Sequence, residues 1–219
     1  MTTETIIHFE TMWKPGLSFP KKNGEWSPTS SVSPLLFGIA QDWGCKYIYR
    51  QVHNIDNLKT WCGCCKNAQG LGDKKYIWLS GHGGDRSAFK FHNGKDAVEV
   101  SANKIVKAIE SAGPVNGVII DACSFGGHLQ KIECLPKNTP WVLAAYKAID
   151  LTGSFLIFVK ALEWITEGSK DSSIECFKHG LETDNENKKK NAVNYSDLVK
   201  TIGIRFYYQN RGFLYYPED

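Results

Sequence analysis

Two apolar runs in this chain stop abruptly on short polar motifs: Tyr76–Ser80 leads into Gly81-His82-Gly83-Gly84, and Val118–Ile120 leads into Asp121-Ala122-Cys123. Short aliphatic and aromatic runs bounded by glycine or polar residues read as buried strands, and the glycines mark tight turns at their ends. Between the two runs, Asn103–Ser111 carries Ile105, Val106 and Ile109 at helical spacing, and Gly113-Pro114 stops it. Upstream, Thr5–Phe9 reads as extended, and the Pro/Gly/Ser-rich stretch Lys14–Ser33 reads as a long loop. Pro34–Trp43 then predicts a helix capped by Ser33 and ended by Gly44, followed by a strand at Lys46–Val52 and a helix from Asp56 towards Asn67. Downstream, Trp141–Ala145 predicts a strand ahead of an amphipathic helix from about Thr152 to Thr166. The pattern Ser172-x-x-Glu175 is a capping box and predicts a surface helix in the polar tract Glu167–Ser196, while Phe206–Tyr208 and Phe213–Tyr216 predict a terminal hairpin. Strands alternating with helices imply a three-layer α/β/α domain built on a mainly parallel sheet of about six strands.

The length of 219 residues suits one such domain spanning 1–219 rather than two. Hydrophobic residues make up 42% and charged residues 22%, which excludes a disordered or fibrous chain. The net charge is +3, and apart from Lys188, Lys189 and Lys190 the basic residues are scattered, so no nucleic-acid footprint is expected. No apolar run approaches the ~18 residues of a membrane span, and the start lacks a targeting pattern, so a cytoplasmic protein without membrane contact is expected. Seven cysteines, an odd number, fit a reducing compartment better than a disulfide framework. Cys62-Gly63-Cys64-Cys65 has C-x-x-C spacing, but only Cys45 and His53 stand near enough to help, so structural thiols are expected and no metal or other cofactor.

In a parallel sheet, ligands bind beyond the carboxyl ends of the strands, where loops and helix N-termini converge. His82 and Cys123 both lie at such ends, on strands that the order of elements makes neighbours. A thiol becomes a strong nucleophile when a base takes its proton, and an adjacent imidazole is the usual partner. With no side chains at Gly83 and Gly84, the backbone there can approach a substrate, and its amides can join that of Cys123 as an oxyanion hole.

The sequence Ser80-Gly81-His82-Gly83, then about forty residues, then Asp121-Ala122-Cys123-Ser124 resembles the caspase-like cysteine peptidases, in which the histidine precedes the cysteine in this way. It is most similar to the bacterial CHAT-type and metacaspase-like branches, and the resemblance covers roughly 76–166. The departure from the pattern is that Ser124, Phe125, Gly126 and Gly127 follow the cysteine, which displaces the glycine by one residue. The resemblance implies an endopeptidase acting on protein or peptide substrates, activated by a partner or companion subunit in a defence or cell-death pathway. It also implies that Asp121 faces a pocket for a basic residue before the scissile bond, with Asp85 and Asp150 as further candidates for that pocket. The plainer role for Asp121 is to accept hydrogen bonds from turn amides.

Competing chemistries fail on inspection. An α/β-hydrolase elbow needs glycine two places on either side of its nucleophile, where this chain has Asp121 and Phe125. A thiol phosphatase needs arginine six residues after the cysteine, where this chain has Leu129. The alternative of another class is a catalytically silent caspase-like module that binds a protein partner. His92 and His128 read as ordinary loop and helix residues.

Overall fold

The computed structural model describes residues 4–11, 31–83, 89–92, 96–127, 136–137, 139–147, 151–168, 172–186, 193–208 and 214–215. The expected loop at Lys14–Ser33 therefore lies almost entirely outside the described residues.

Strand β1 (Glu4–Glu10) sits between β2 (Lys46–Gln51) and β3 (Lys74–Ser80), and β3 pairs on its other side with β6 (Gly117–Asp121). Next come β7 (Trp141–Ala145), β8 (Ile204–Tyr208) and the two-residue β9 (Leu214–Tyr215). The sheet order is β2-β1-β3-β6-β7-β8-β9; the first five strands run parallel, β8 pairs antiparallel with β7, and β9 pairs antiparallel with β8. Six strands of five to seven residues plus the short β9 match the expected mainly parallel sheet of about six. A separate hairpin of β4 (Phe89–His92) and β5 (Ala97–Val100) was not foreseen.

Alternation along the strands divides the core. Ile7, Phe9, Ile77, Leu79, Val118 and Ile120 point to one side, where α2 (Ile55–Asn67), α3 (Ala102–Glu110) and Phe89 and Phe91 of the hairpin cover them. Ile6, Tyr76, Trp78, Ile119, Trp141 and Leu143 point to the other. There they meet α1 (Ser33–Asp42), α4 (Leu151–Glu167), α5 (Ser173–Glu186) and α6 (Tyr195–Ile202). Burial on both faces explains why β6 and β7 are buried at every position.

The helix ends follow local chemistry. Asn54 caps α2 by accepting from the Asn57 amide at 2.8 Å, and Ser172 accepts from the Glu175 amide at 3.4 Å, as the capping pattern predicts. Helix α1 starts one residue earlier than expected, with Val32 rather than Ser33 as its cap. The buried Glu10 carboxylate causes this: it accepts the Val32 amide (3.1 Å) and the Ser31 hydroxyl (2.6 Å), drawing the chain in ahead of Ser33.

Phe158 of α4 is fully buried and meets the Trp78 indole edge-on, with centroids 6.0 Å apart. Phe158→Ala should lower stability by about 3–5 kcal/mol, read by urea unfolding.

Candidate active site

The parallel ladder of β3 and β6 sets Ser80 opposite Asp121. One further bond continues it, from the Gly81 amide to the Asp121 carbonyl at 3.1 Å, so the chain segments carrying His82 and Cys123 leave the sheet side by side. Beyond the ladder they touch. A Cβ placed on Gly83 would overlap the Cys123 carbonyl oxygen and crowd its amide nitrogen, so only glycine allows this approach. At Gly81 a Cβ would run into the Thr11 methyl and the Phe89 ring, so the turn is held from the other side as well.

Cys123 is half-buried, at the turn that opens a helix at 125–127. Ser124 adopts a left-handed backbone, φ 58°, which is uncommon for a residue with a side chain and costs roughly 1 kcal/mol or more. Its amide donates to the Lys147 carbonyl at 2.9 Å, and the Tyr207 hydroxyl of β8 donates to the Gly126 carbonyl. The turn after the cysteine is thus tied to the end of β7 and to the antiparallel strand β8. The Ser124 amide is committed in this way, whereas Gly83 and the Cys123 backbone lie in the region of contact.

His82 is anchored by its carbonyl, which accepts from the Lys90 amide at 2.8 Å in an isolated bridge to β4. The same hairpin brings His92 against it, with ring centroids 5.5 Å apart at 68°. The His92 amide donates to Thr11 Oγ1 at 3.1 Å, and both of its ring nitrogens are buried without a hydrogen-bond partner. Burial first, then His82 and Lys90, push the His92 imidazole below its usual range, which keeps it neutral beside His82. Sequence reasoning passed over His92 because it lies ten residues from His82 in a hairpin whose strands are only four residues long.

Behind the two motifs lies a layer of buried polar groups on the α1/α4 side of the sheet. Asp121 has no exposed surface and accepts from the Ser154 hydroxyl of α4 at 2.9 Å through Oδ1. Burial pushes its carboxyl up to about 7, against the opposing pull of the Ser154 bond and the nearby Trp78 indole, and Glu10 adds to the rise. Trp78 Nε1 and Asp121 Oδ2 are each buried without a bonded partner. His8, also fully buried, spans the Ser80 hydroxyl (2.6 Å) and the Tyr47 hydroxyl (2.8 Å) with its two ring nitrogens. Tyr47 donates onward to the Ser33 carbonyl, so a consistent chain has His8 donating to Tyr47 and accepting from Ser80. Burial lowers the His8 imidazole to about 3 and so holds it neutral. His8 and Glu10 were also missed; the signal was two ionisable residues at i and i+2 in a strand beside Ile6, Ile7 and Phe9.

Of the residues singled out from the sequence, His82, Gly83, Asp121 and Cys123 thus lie at the adjoining ends of β3 and β6. Gly84, Asp85 and Asp150 fall outside the described residues. Cys62 and Cys65 are buried in the core beside α3, while Cys64 is exposed. Among the described residues, no group of three or more His, Cys, Asp or Glu side chains is arranged to hold a metal ion, and no helix is long and apolar enough to cross a membrane.

No family model matches the sequence, and no curated protein matches it. Among solved structures, the chain is similar in fold to a secreted C11 cysteine protease from Bacteroides thetaiotaomicron, in complex with an irreversible peptide inhibitor, at a TM-score of 0.55 and 10% identity. The match covers 94% of this chain and 66% of that one, so this chain corresponds to just under two thirds of that protease. The likeness is one of fold: a mainly parallel sheet covered by helices on both faces.

The buried layer has a titration signature. Asp121 has an ordinary value of 3.8 and holds its proton to about pH 7 when folded, so between those values its contribution to stability falls as pH rises. His8 works in reverse: its ordinary value is 6.5 and its folded value about 3, so stability is lost as pH falls through that window. Asp121→Asn should therefore lose stability more steeply than wild type on acidification from pH 6.5 to 4. His8→Gln should lose it less steeply. Thermal melts across that range separate the two; parallel curves for all three proteins would show that neither group is buried in the state described.

Proposed function

We propose that this chain is a cysteine endopeptidase of the caspase-like type, with Cys123 as nucleophile and His82 as general base. The observation that carries this reading is the contact of Gly83 with the Cys123 backbone, at the ends of strands held in register by Ser80 opposite Asp121. It joins the histidine turn to the cysteine turn at the place where a parallel sheet binds its ligands.

In this mechanism His82 takes the proton from Cys123 Sγ, and the thiolate attacks the peptide carbonyl carbon. The amides of Gly83, Gly84 and Cys123 stabilise the oxyanion of the tetrahedral intermediate. The C–N bond breaks, and His82 returns its proton to the leaving amine. Water then attacks the thioester, with His82 again as base, releasing the acid and restoring the thiol. No metal enters any step.

Asp121 is the candidate selector for a basic residue before the scissile bond, with Asp85 and Asp150 as further members of the pocket. Its unbonded Oδ2 supports this role, since a cationic side chain would satisfy that oxygen with a charge-assisted bond. Complete burial of Asp121 means that a substrate reaches it only after the surrounding segments part. That supports restraint of the free chain and activation by a partner, as in the CHAT-type and metacaspase-like branches that its motifs resemble.

Cys123→Ala and His82→Ala should each bring cleavage of an unstructured protein to background while leaving the melting temperature nearly unchanged; full turnover in Cys123→Ala would refute the assignment. In a peptide library, basic residues before the scissile bond should outpace neutral ones by roughly tenfold or more. Asp121→Ala should erase that preference, and a basic preference that survives it removes Asp121 from the pocket.

A further inference from the structure

Ser154 makes the bond that sets the state of Asp121. It stands near the start of α4, has no exposed surface, and spends its hydroxyl hydrogen on Asp121 Oδ1 at 2.9 Å. Oδ2 is left without a bonded partner, with the Trp78 indole beside it and Phe155 and Phe158 of the same helix packed against that indole at 5.9 and 6.0 Å. One carboxylate oxygen is thus fixed and the other held open in an apolar wall. We propose that Ser154 is a specificity-determining positioning residue, which holds Asp121 through Oδ1 so that Oδ2 stays open to a guanidinium or ammonium of the substrate. This inference rests on the peptidase reading and on Asp121 as its selector.

The physical reason is a balance. Burial and the Glu10 carboxylate of β1 favour the protonated form of Asp121, and a protonated carboxyl has no charge with which to attract a cation. Of the other ionisable groups on this face, His8 of β1 is held neutral by burial, and Tyr47 and Tyr49 of β2 are pushed up by burial and so remain neutral as well. Among the described residues, the charged form is favoured by two neutral donors, first the Ser154 hydroxyl and then the Trp78 indole. Near neutral pH, the Ser154 bond therefore decides how much of Asp121 is charged. The preference for basic substrates should consequently be switched on as pH rises through about 7, rather than being constant.

The test pairs two peptides that differ only by arginine or its neutral isostere citrulline before the scissile bond, assayed from pH 5.5 to 9. In wild type the arginine-to-citrulline ratio of kcat/KM should climb through neutral pH. In Ser154→Ala the climb should move to higher pH by roughly one unit, lowering the ratio at neutral pH by about fivefold, with the loss in KM for the arginine peptide. Ser154→Thr, which keeps a hydroxyl, should restore it. The same titration is followed without substrate by the side-chain carboxyl carbon of Asp121 in NMR, with Asp121→Asn to assign the signal. A midpoint that Ser154→Ala leaves unmoved overturns the inference, whatever the kinetics show. An Asp121 midpoint that moves in a protein that cleaves neither peptide, and whose Cys123 an active-site-directed thiol probe leaves unlabelled, overturns the peptidase reading instead, and with it the role in specificity.

Discussion

Parallel pairing of β3 with β6, with Ser80 opposite Asp121, is the constraint on which everything at the site depends. Parallel strands cannot be joined by a tight turn, so the chain leaves β3, makes the β4–β5 hairpin and α3, and returns to lay β6 alongside. The connection is long, yet it delivers both strand ends to the same edge. The ladder then passes directly into the turns through the Gly81 amide and the Asp121 carbonyl. A slip of one residue would turn Asp121 out of the α4 face and Ile120 into it, exchanging a polar layer for an apolar one.

The layer itself trades stability for chemical readiness. Four ionisable or hydroxyl side chains, His8, Glu10, Ser80 and Asp121, occupy strand ends where aliphatic residues would pack without cost. Most of their capacity is met: Glu10 takes Ser31, Val32 and Tyr49, and His8 takes Ser80 and Tyr47. What is unmet is concentrated at Asp121 Oδ2 and Trp78 Nε1. A donor and an acceptor left unbonded side by side in a dry wall are a cost that folding alone does not explain, and strained or unsatisfied groups gather where a protein meets its ligands.

The alternation of strands and helices was legible because apolar runs and glycine stops carry it, and Trp141–Ala145 matches its expected strand residue for residue. The adjacency of the His82 and Cys123 turns was legible too, since chain order and parallel topology leave few other arrangements. The β4–β5 hairpin escaped because four-residue strands bearing Lys90, His92 and Glu99 offer little periodicity. With the hairpin went His92, whose place against His82 depends on that fold-back alone. Helix α6 begins only at the end of the polar tract and is eight residues long, too short for its period to stand out; Asn194 caps it and Gly203, at φ 67°, ends it. The start of α1 shifted by one residue because Glu10, twenty-two positions away, claims the Val32 amide; a local capping rule has no access to such a partner.

The seat of Gly83 on the Cys123 carbonyl makes one mechanical body of two turns that are forty residues apart in sequence. Insertions and deletions on the far side of the hairpin or within α3 can then accumulate without altering the spacing of the two turns, because that spacing is gauged by backbone against backbone and not by the length of the chain between them. Divergence is free to reshape what surrounds the turns, and drift in the intervening sequence says little about whether they still meet.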